Sequence, residues 1–442
     1  MAHRSTAARA AALLLCLAAP PALASEAAAA PAATSTAGDQ ARFLAGLPVS
    51  AGSPLLPLTR TMEWVDHQQA MDRAWPKLAG RLARAAVFQA TQLAPLVPGH
   101  RNVIYFFGGP DAAHAVKLFP DAPSYLLAGL ESVGAVQPPE TMKPAEWHAA
   151  VDGLASALHT FIEKSFFRTS EMGHDLQGKG IKGVQPVLYL FLARSGAEVL
   201  DGTYFEVNAA GVARDKAPGE KWGPGVPGVR VRFQFPGRPA QEMSYVRVNL
   251  FDEELARQPG FLTWARGFGP ATGFLKAASF ILHDRNFSKP RAFLLESCAA
   301  IVQDDSGVPY RVYKKAGWDV TCFGKYARPR DPFEGHEQKD LAEACAAQKA
   351  PLDFIIGYRR SSDSALQVYV KRPEPVPPWT PAPVPASTPA STPTSASGTS
   401  NMAAHPERRA EGPESRETPT PAPTTIQAGE PASAPLAPAP VQ

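Results

Sequence analysis

Two carboxylates and a histidine in one short stretch carry the chemistry this sequence offers most openly. The stretch is VIYFFGGPDAAHAVKLFPDAPSYLLAGLE, Val103 to Glu131, with Asp111, His114 and Glu131 following the Gly108-Gly109 pair. Two acids facing one crevice can serve as paired acid and base, because the charge of one raises the pKa of the other. The same groups can instead bind the polar atoms of a ligand. A third reading is that Asp111 only caps a helix and the glycines only make a tight turn. A phosphate-cradling loop is excluded on physical grounds. The glycines do not follow GxGxxG, Pro110 lacks an amide donor, and Asp111 puts negative charge where a phosphate would sit.

The elements around these residues decide whether they can meet. Val103–Phe107 is an apolar run bounded by glycines and reads as a buried strand. Pro110 suits the first turn of a helix, Asp111 complements its dipole, and Pro120 stops it. Tyr125–Leu130 is a second apolar run. Strand, short helix and strand make a βαβ unit with parallel neighbours. In such sheets ligands bind outside the carboxyl ends of the strands, where Asp111 and Glu131 would both lie. His114 falls on the helix face of Asp111.

Two further segments join this candidate site. SFFRTSEMGHDLQGKGIKG (165–183) is a glycine-rich polar loop, either a solvated connection or a cover over the site with Arg168 as an anion partner. Asp304-Asp305 is read at the C-terminus of a helix, where two acids oppose the dipole. Such local conflicts concentrate at functional places, although a type I turn also favours Asp and Ser. The candidate set is therefore Asp111 and Glu131 as catalytic residues, with Gly108, Gly109, His114, Arg168, Asp304 and Asp305 as ligand-binding residues.

Residues 1–24 have a basic start, an apolar run and Ala22-Leu23-Ala24, the form of a secretory signal, so an exported protein is expected. Residues 25–40 read as a linker, and 41–371 as one folded domain. Residues 372–442 are rich in Pro, Ala, Ser and Thr and should be disordered. No later stretch is long and apolar enough to span a membrane. The net charge of +3, with both signs interspersed, gives no argument for nucleic acid. No CxxC, HExxH or paired-His spacing occurs, so neither a metal nor another cofactor is expected. Beyond the signal segment the cysteines are Cys298, Cys322 and Cys345, an odd number that leaves at least one outside an intramolecular disulfide; Cys298 reads as a buried thiol on a helix face.

The rest reads as follows. Helices fill 41–96, with Trp64 and Trp75 as core anchors and His67 at the surface or in a cap. An amphipathic helix spans 145–163, and an apolar helix over 186–194 ends at Gly196. Strands cover 199–207, 229–235 and 244–250, the last two antiparallel, with Arg230, Arg232 and Arg247 on one solvent face. Helices are expected from Thr272 to His283 and from Ser288 to Gln303. A hairpin follows over 309–323, then a helix at 338–348 and strands at 353–358 and 365–371.

YFFGGPD, FPDAPSYLLAGLE, SFFRT, PVLYLFLARSG, FLKAASFILH and QDDSGVPYR together resemble an exported bacterial family of hypothetical proteins over roughly 43–371. That resemblance implies one folded unit and carries no activity. The sequence thus describes an α/β fold: a mixed sheet with a parallel βαβ core unit and antiparallel hairpins, with helices on the faces. Its expected function is to bind a polar envelope ligand, glycan or peptide, at the carboxyl edge of the sheet. A cofactor-independent hydrolase or transferase and a surface scaffold are the alternatives.

Overall fold

The structure is a computed structural model. It describes residues 36–97, 101–164, 166, 182–217, 219–329, 332–348, 350–358 and 364–372. The chain divides into two units, Met1–Pro375 and Val376–Gln442, and all described residues belong to the first.

The first unit is built on a ten-stranded mixed sheet. Its strands are β1 Val103–Phe106, β2 Ser124–Gly129, β3 Glu198–Val207, β4 Ala213–Lys216, β5 Val226–Gln234, β6 Gln241–Arg247, β7 Ala271–Leu275, β8 Cys298–Gln303, β9 Trp318–Gly324 and β10 Ala365–Lys371. The order across the sheet is β4-β3-β5-β6-β2-β1-β7-β8-β10-β9. The five central strands β6, β2, β1, β7 and β8 are parallel. Antiparallel pairs flank them on both sides.

Both faces of the centre are covered. In β1, Val103 and Tyr105 enter one core while Ile104 and Phe106 enter the other, the two-sided burial expected of parallel strands. Helices α2 (Met62–Phe88), α3 (Ala112–Leu118), α4 (Pro144–Lys164) and α5 (Gln185–Arg194) pack on the first face. The segments Asp252–Arg257, Gly260–Ala265, Ser288–Ser297 and Tyr310–Lys315 pack on the second. The chain leaves β1 for β2 across the first face and reaches β7 and β8 across the second. β1 and β7 therefore flank a topological switch point, where a crevice opens in sheets of this kind.

Several expectations are corrected here. A helix, α1, spans Thr36–Leu44, so it starts inside the stretch read as linker. His67 is buried; its Nε2–H donates to the Leu44 carbonyl at 2.9 Å, and Trp64 Nε1 reaches the Phe43 carbonyl beside it. Thr272–His283 is not a helix: 271–275 is the central strand β7. Gly273 lies so close to β8 that a Cβ would meet Ile301 Cγ1 at 2.9 Å. The helix read from Ser288 ends at Ser297, and Cys298–Gln303 is β8. The expected hairpin over 309–323 is the helix Tyr310–Lys315 followed by β9, and 353–358 forms no strand. Arg247 shares the face of Tyr245, two residues before it, and so falls on the face opposite Arg230 and Arg232. Cys322 and Cys345 form a disulfide, and Cys298 is a buried thiol on a strand.

Burial makes His67 an acid-sensitive point. Desolvation pulls its pKa from the ordinary value down to about 4, against the pull of its bond to Leu44. The folded protein resists a proton that the unfolded chain accepts, so stability should fall as pH drops from about 6.5 towards 4. A series of melting curves over this range should show that loss, and His67→Gln should flatten it.

Candidate functional site

Site chemistry collects in the three loops that leave β1, β7 and β8 at their carboxyl ends. After β1 the chain turns sharply: Phe107 takes φ 64° and Gly109 φ 54°. Positive φ on a phenylalanine is sterically costly, and such strain clusters where the surroundings fix a conformation for use. Gly108 is required for packing, since a Cβ there would land in the Tyr105 ring. Gly108→Ala should therefore cost about 1–3 kcal/mol in denaturant unfolding, as overpacked sites do.

The turn delivers Asp111 as the N-cap of α3, only 1 % exposed. Its Oδ1 accepts from His114 N at 3.1 Å and lies 3.0 Å from His114 Nδ1. Its Oδ2 accepts from Tyr105 Oη at 2.8 Å and from Lys276 Nζ at 2.5 Å. Lys276, the first residue after β7, is equally buried and also lies 3.1 Å from His114 Nδ1. The Phe161 ring of α4 closes over both, 5.0 Å from the ammonium and 5.5 Å from the imidazole. Burial disfavours charge on Asp111, yet His114 and Lys276 outweigh it and hold the carboxyl well below its usual range. Burial is also the leading cause that lowers His114 and Lys276. The result is an ionised Asp111 held between Lys276 and the His114 ring.

The β7 loop is the most strained backbone among the described residues. Ala277, Ser279 and Phe280 take φ values of 52°, 54° and 56°. Three consecutive amides of this loop are held by side chains. Ala277 N donates to Asp304 Oδ2 at 2.9 Å, Ala278 N to Ser306 Oγ at 2.8 Å, and Ser279 N to Tyr358 Oη at 3.1 Å. Tyr358 Oη donates in turn to the Ala277 carbonyl at 2.7 Å and accepts from Ser279 Oγ at 2.6 Å. Asp304 also accepts from Ser306 N at 3.0 Å and Ser306 Oγ at 2.5 Å. Burial pushes its carboxyl above the ordinary range, against these hydrogen bonds. Gly357, at φ 67°, lies directly against that carboxylate, so Gly357→Ala should displace Asp304 and lower the melting temperature by several degrees.

Outside this loop runs a line of rings. Phe166 meets Tyr358 at 4.7 Å, Tyr358 meets Phe333 at 4.9 Å, and Phe333 meets Phe280 at 5.1 Å. His336 stacks on Phe280 at 5.0 Å. Ser279 and His336 are exposed; Phe166, Phe333 and Tyr358 are half-buried.

The structure thus brings Asp111, His114, Gly108, Gly109, Asp304 and Asp305 to one edge. Asp304 and Asp305 follow a strand, not a helix, so the dipole conflict read from the sequence does not arise. Asp305 is buried, and its carbonyl accepts from Gln338 Nε2 at 3.0 Å. Glu131 follows β2 and is half-buried; Tyr245 Oη donates to its carbonyl at 2.9 Å and its carboxylate at 3.2 Å. A Cβ on Gly129 would lie against that carboxylate and 3.4 Å from Gly109 Cα. Arg168 lies outside the described residues. Sequence reasoning missed Lys276, Ser279 and Tyr358. Reading ATGFL as a strand would have put Lys276 and Ser279 at a carboxyl end.

Among the described residues, no group of three or more His, Cys, Asp or Glu is arranged to hold a metal ion, and no helix is long and apolar enough to cross a membrane. Compared with protein-family models, curated proteins and solved structures, the chain matches none of them.

Proposed function

We propose that this is an exported protein that binds a glycan of the cell envelope at the carboxyl edge of its sheet. The observation that carries the reading is the ring line Phe166–Tyr358–Phe333 with the exposed His336, backed by the buried Phe280, beside the strained, exposed Ser279. Aromatic faces take the apolar C–H faces of sugar rings, and a fixed hydroxyl supplies a polar contact that sets orientation. A rigid scaffold carrying adapted loops is the usual arrangement of a binding site. Asp111 suits a supporting role. It is sealed from water and both its oxygens are engaged, whereas a catalytic acid must reach the bond it cleaves.

Sedimentation with insoluble envelope glycan tests the reading. The mature protein should co-sediment, and Phe333→Ala should weaken binding roughly tenfold, the loss of about 1.4 kcal/mol expected from one stacked ring. Ser279→Ala should weaken it further with little change in melting temperature. Unchanged binding in both variants would remove the ring line from the site.

A further inference from the structure

The same edge carries a second aromatic feature, far along the sheet from the first. Among the described residues, Trp222 is the one aromatic ring in the set of exposed large hydrophobic side chains, at 44 % exposure. A tryptophan gains by burial, and this one is kept half in water by its surroundings.

The support is specific. Glu206, in β3, accepts from Gly223 N at 2.7 Å, from Gly225 N at 2.9 Å and from Lys216 Nζ at 3.2 Å. The grip needs both glycines: a Cβ at either would lie 2.6–2.8 Å from the Glu206 carboxylate oxygen. Glu220 closes the other side of the loop, accepting from Ala217 N and Lys216 Nζ, both at 3.1 Å. Inside this frame the Trp222 ring stands edge-on to Tyr204 at 6.2 Å, with Lys216 Nζ 5.6 Å from its centre. The loop presents a ring whose inner side is braced and whose outer side meets water.

Strand direction fixes where that ring stands. β5 runs antiparallel to β6, with Gly228 opposite Val246, and β6 runs parallel to β2, with Val246 opposite Ala128. The loop entering β5 at Val226 therefore lies at the edge where β6, β2, β1 and β7 end. Four strand intervals separate β5 from β7, roughly 19 Å at the usual spacing.

We infer that Trp222 is an outlying subsite for a sugar ring of the same ligand, and that the ligand is a polymer running along the carboxyl edge rather than one small sugar. This rests on the binding reading above. Glu131, after β2, and Arg247, at the end of β6, stand at strand ends between the two aromatic features and offer polar contacts to hydroxyl-rich units in series.

A length series of β-1,4-linked N-acetylglucosamine oligomers, measured by calorimetry, tests both statements separately. Affinity of the wild type should rise with oligomer length until the span is filled. Trp222→Ala should lose about tenfold on the longest oligomer and nothing on the shortest, with an unchanged melting curve. Trp222→Phe should retain most of the affinity. Equal affinity of Trp222→Ala and wild type across the series would overturn the outlying subsite while leaving the ring line intact. An effect of Trp222→Ala together with none from Phe333→Ala would overturn the ring-line reading and, with it, the two-ended ligand. No binding at any length overturns both. Loss of co-sedimentation with anionic phospholipid vesicles in Trp222→Ala, at unchanged oligomer affinity, would make the ring a membrane contact and overturn the subsite.

Discussion

Asp111→Ala should lower the free energy of unfolding by about 3–5 kcal/mol, the range for breaking a buried ion pair from one side. The substitution removes the carboxylate 2.5 Å from Lys276 and the acceptor for Tyr105 Oη and His114 N. A buried ammonium that loses its counter-charge is costly because low-dielectric surroundings cannot solvate it. Asp111→Asn should recover part of the loss by keeping an acceptor for Tyr105, but not the charge term. The pair Asp111→Leu with Lys276→Met should be closer to the wild type than Asp111→Ala alone, since two apolar groups often replace a buried pair without penalty. Denaturant unfolding of all four proteins measures this, and a cost under about 1 kcal/mol for Asp111→Ala would mean the N-cap is its only contribution.

The same pair predicts an acid dependence. The folded pKa of Asp111 lies below that of the unfolded chain. Its stabilisation is therefore complete above the unfolded value of about 3.9 and is lost as pH falls through the folded value. The wild type should lose this part of its stability only below about pH 4, and Asp111→Ala should lack it. His67 acts in a separate window, between its unfolded value and about 4.

How far the sequence reveals this site depends on whether the signals are local. The unit β1-α3-β2 was legible because each boundary has its own residue: the glycines, Pro110, the Asp111 cap and the Pro120 stop. β7 and β8 were not. ATGFL is too short to distinguish by period, and Phe293, Leu294, Cys298 and Ile301 happen to fit a helical repeat. Their strand form comes from pairing with neighbours far away in sequence, which overrides local preference. His67 was misplaced because nothing local signals that Leu44 would offer it a carbonyl 23 residues away. Trp222 sits in a Gly/Pro-rich stretch whose anchor, Glu206, belongs to another strand.

Asp304→Ala is expected to damage both stability and binding, because one carboxylate holds the β7 loop. Removing it leaves Ala277 N and Ser306 N without their acceptor and frees Ser306 Oγ, which itself receives Ala278 N. Buried donors left unpaired cost about 1–3 kcal/mol each, and partial relaxation at the loop should bring the total to about 2–4 kcal/mol. The non-glycine residues at positive φ would then drift towards ordinary conformations, carrying Ser279 away from Tyr358. Affinity for envelope glycan should fall by more than in Ser279→Ala, since the ring line loses its base as well as its hydroxyl. Adding Ala277→Gly separates the two effects. Glycine takes φ 52° without steric cost, so it should restore about 1 kcal/mol of stability and part of the affinity. If Asp304→Ala binds as the wild type does while stability falls as expected, the loop conformation contributes to the fold alone and Ser279 is not presented by it.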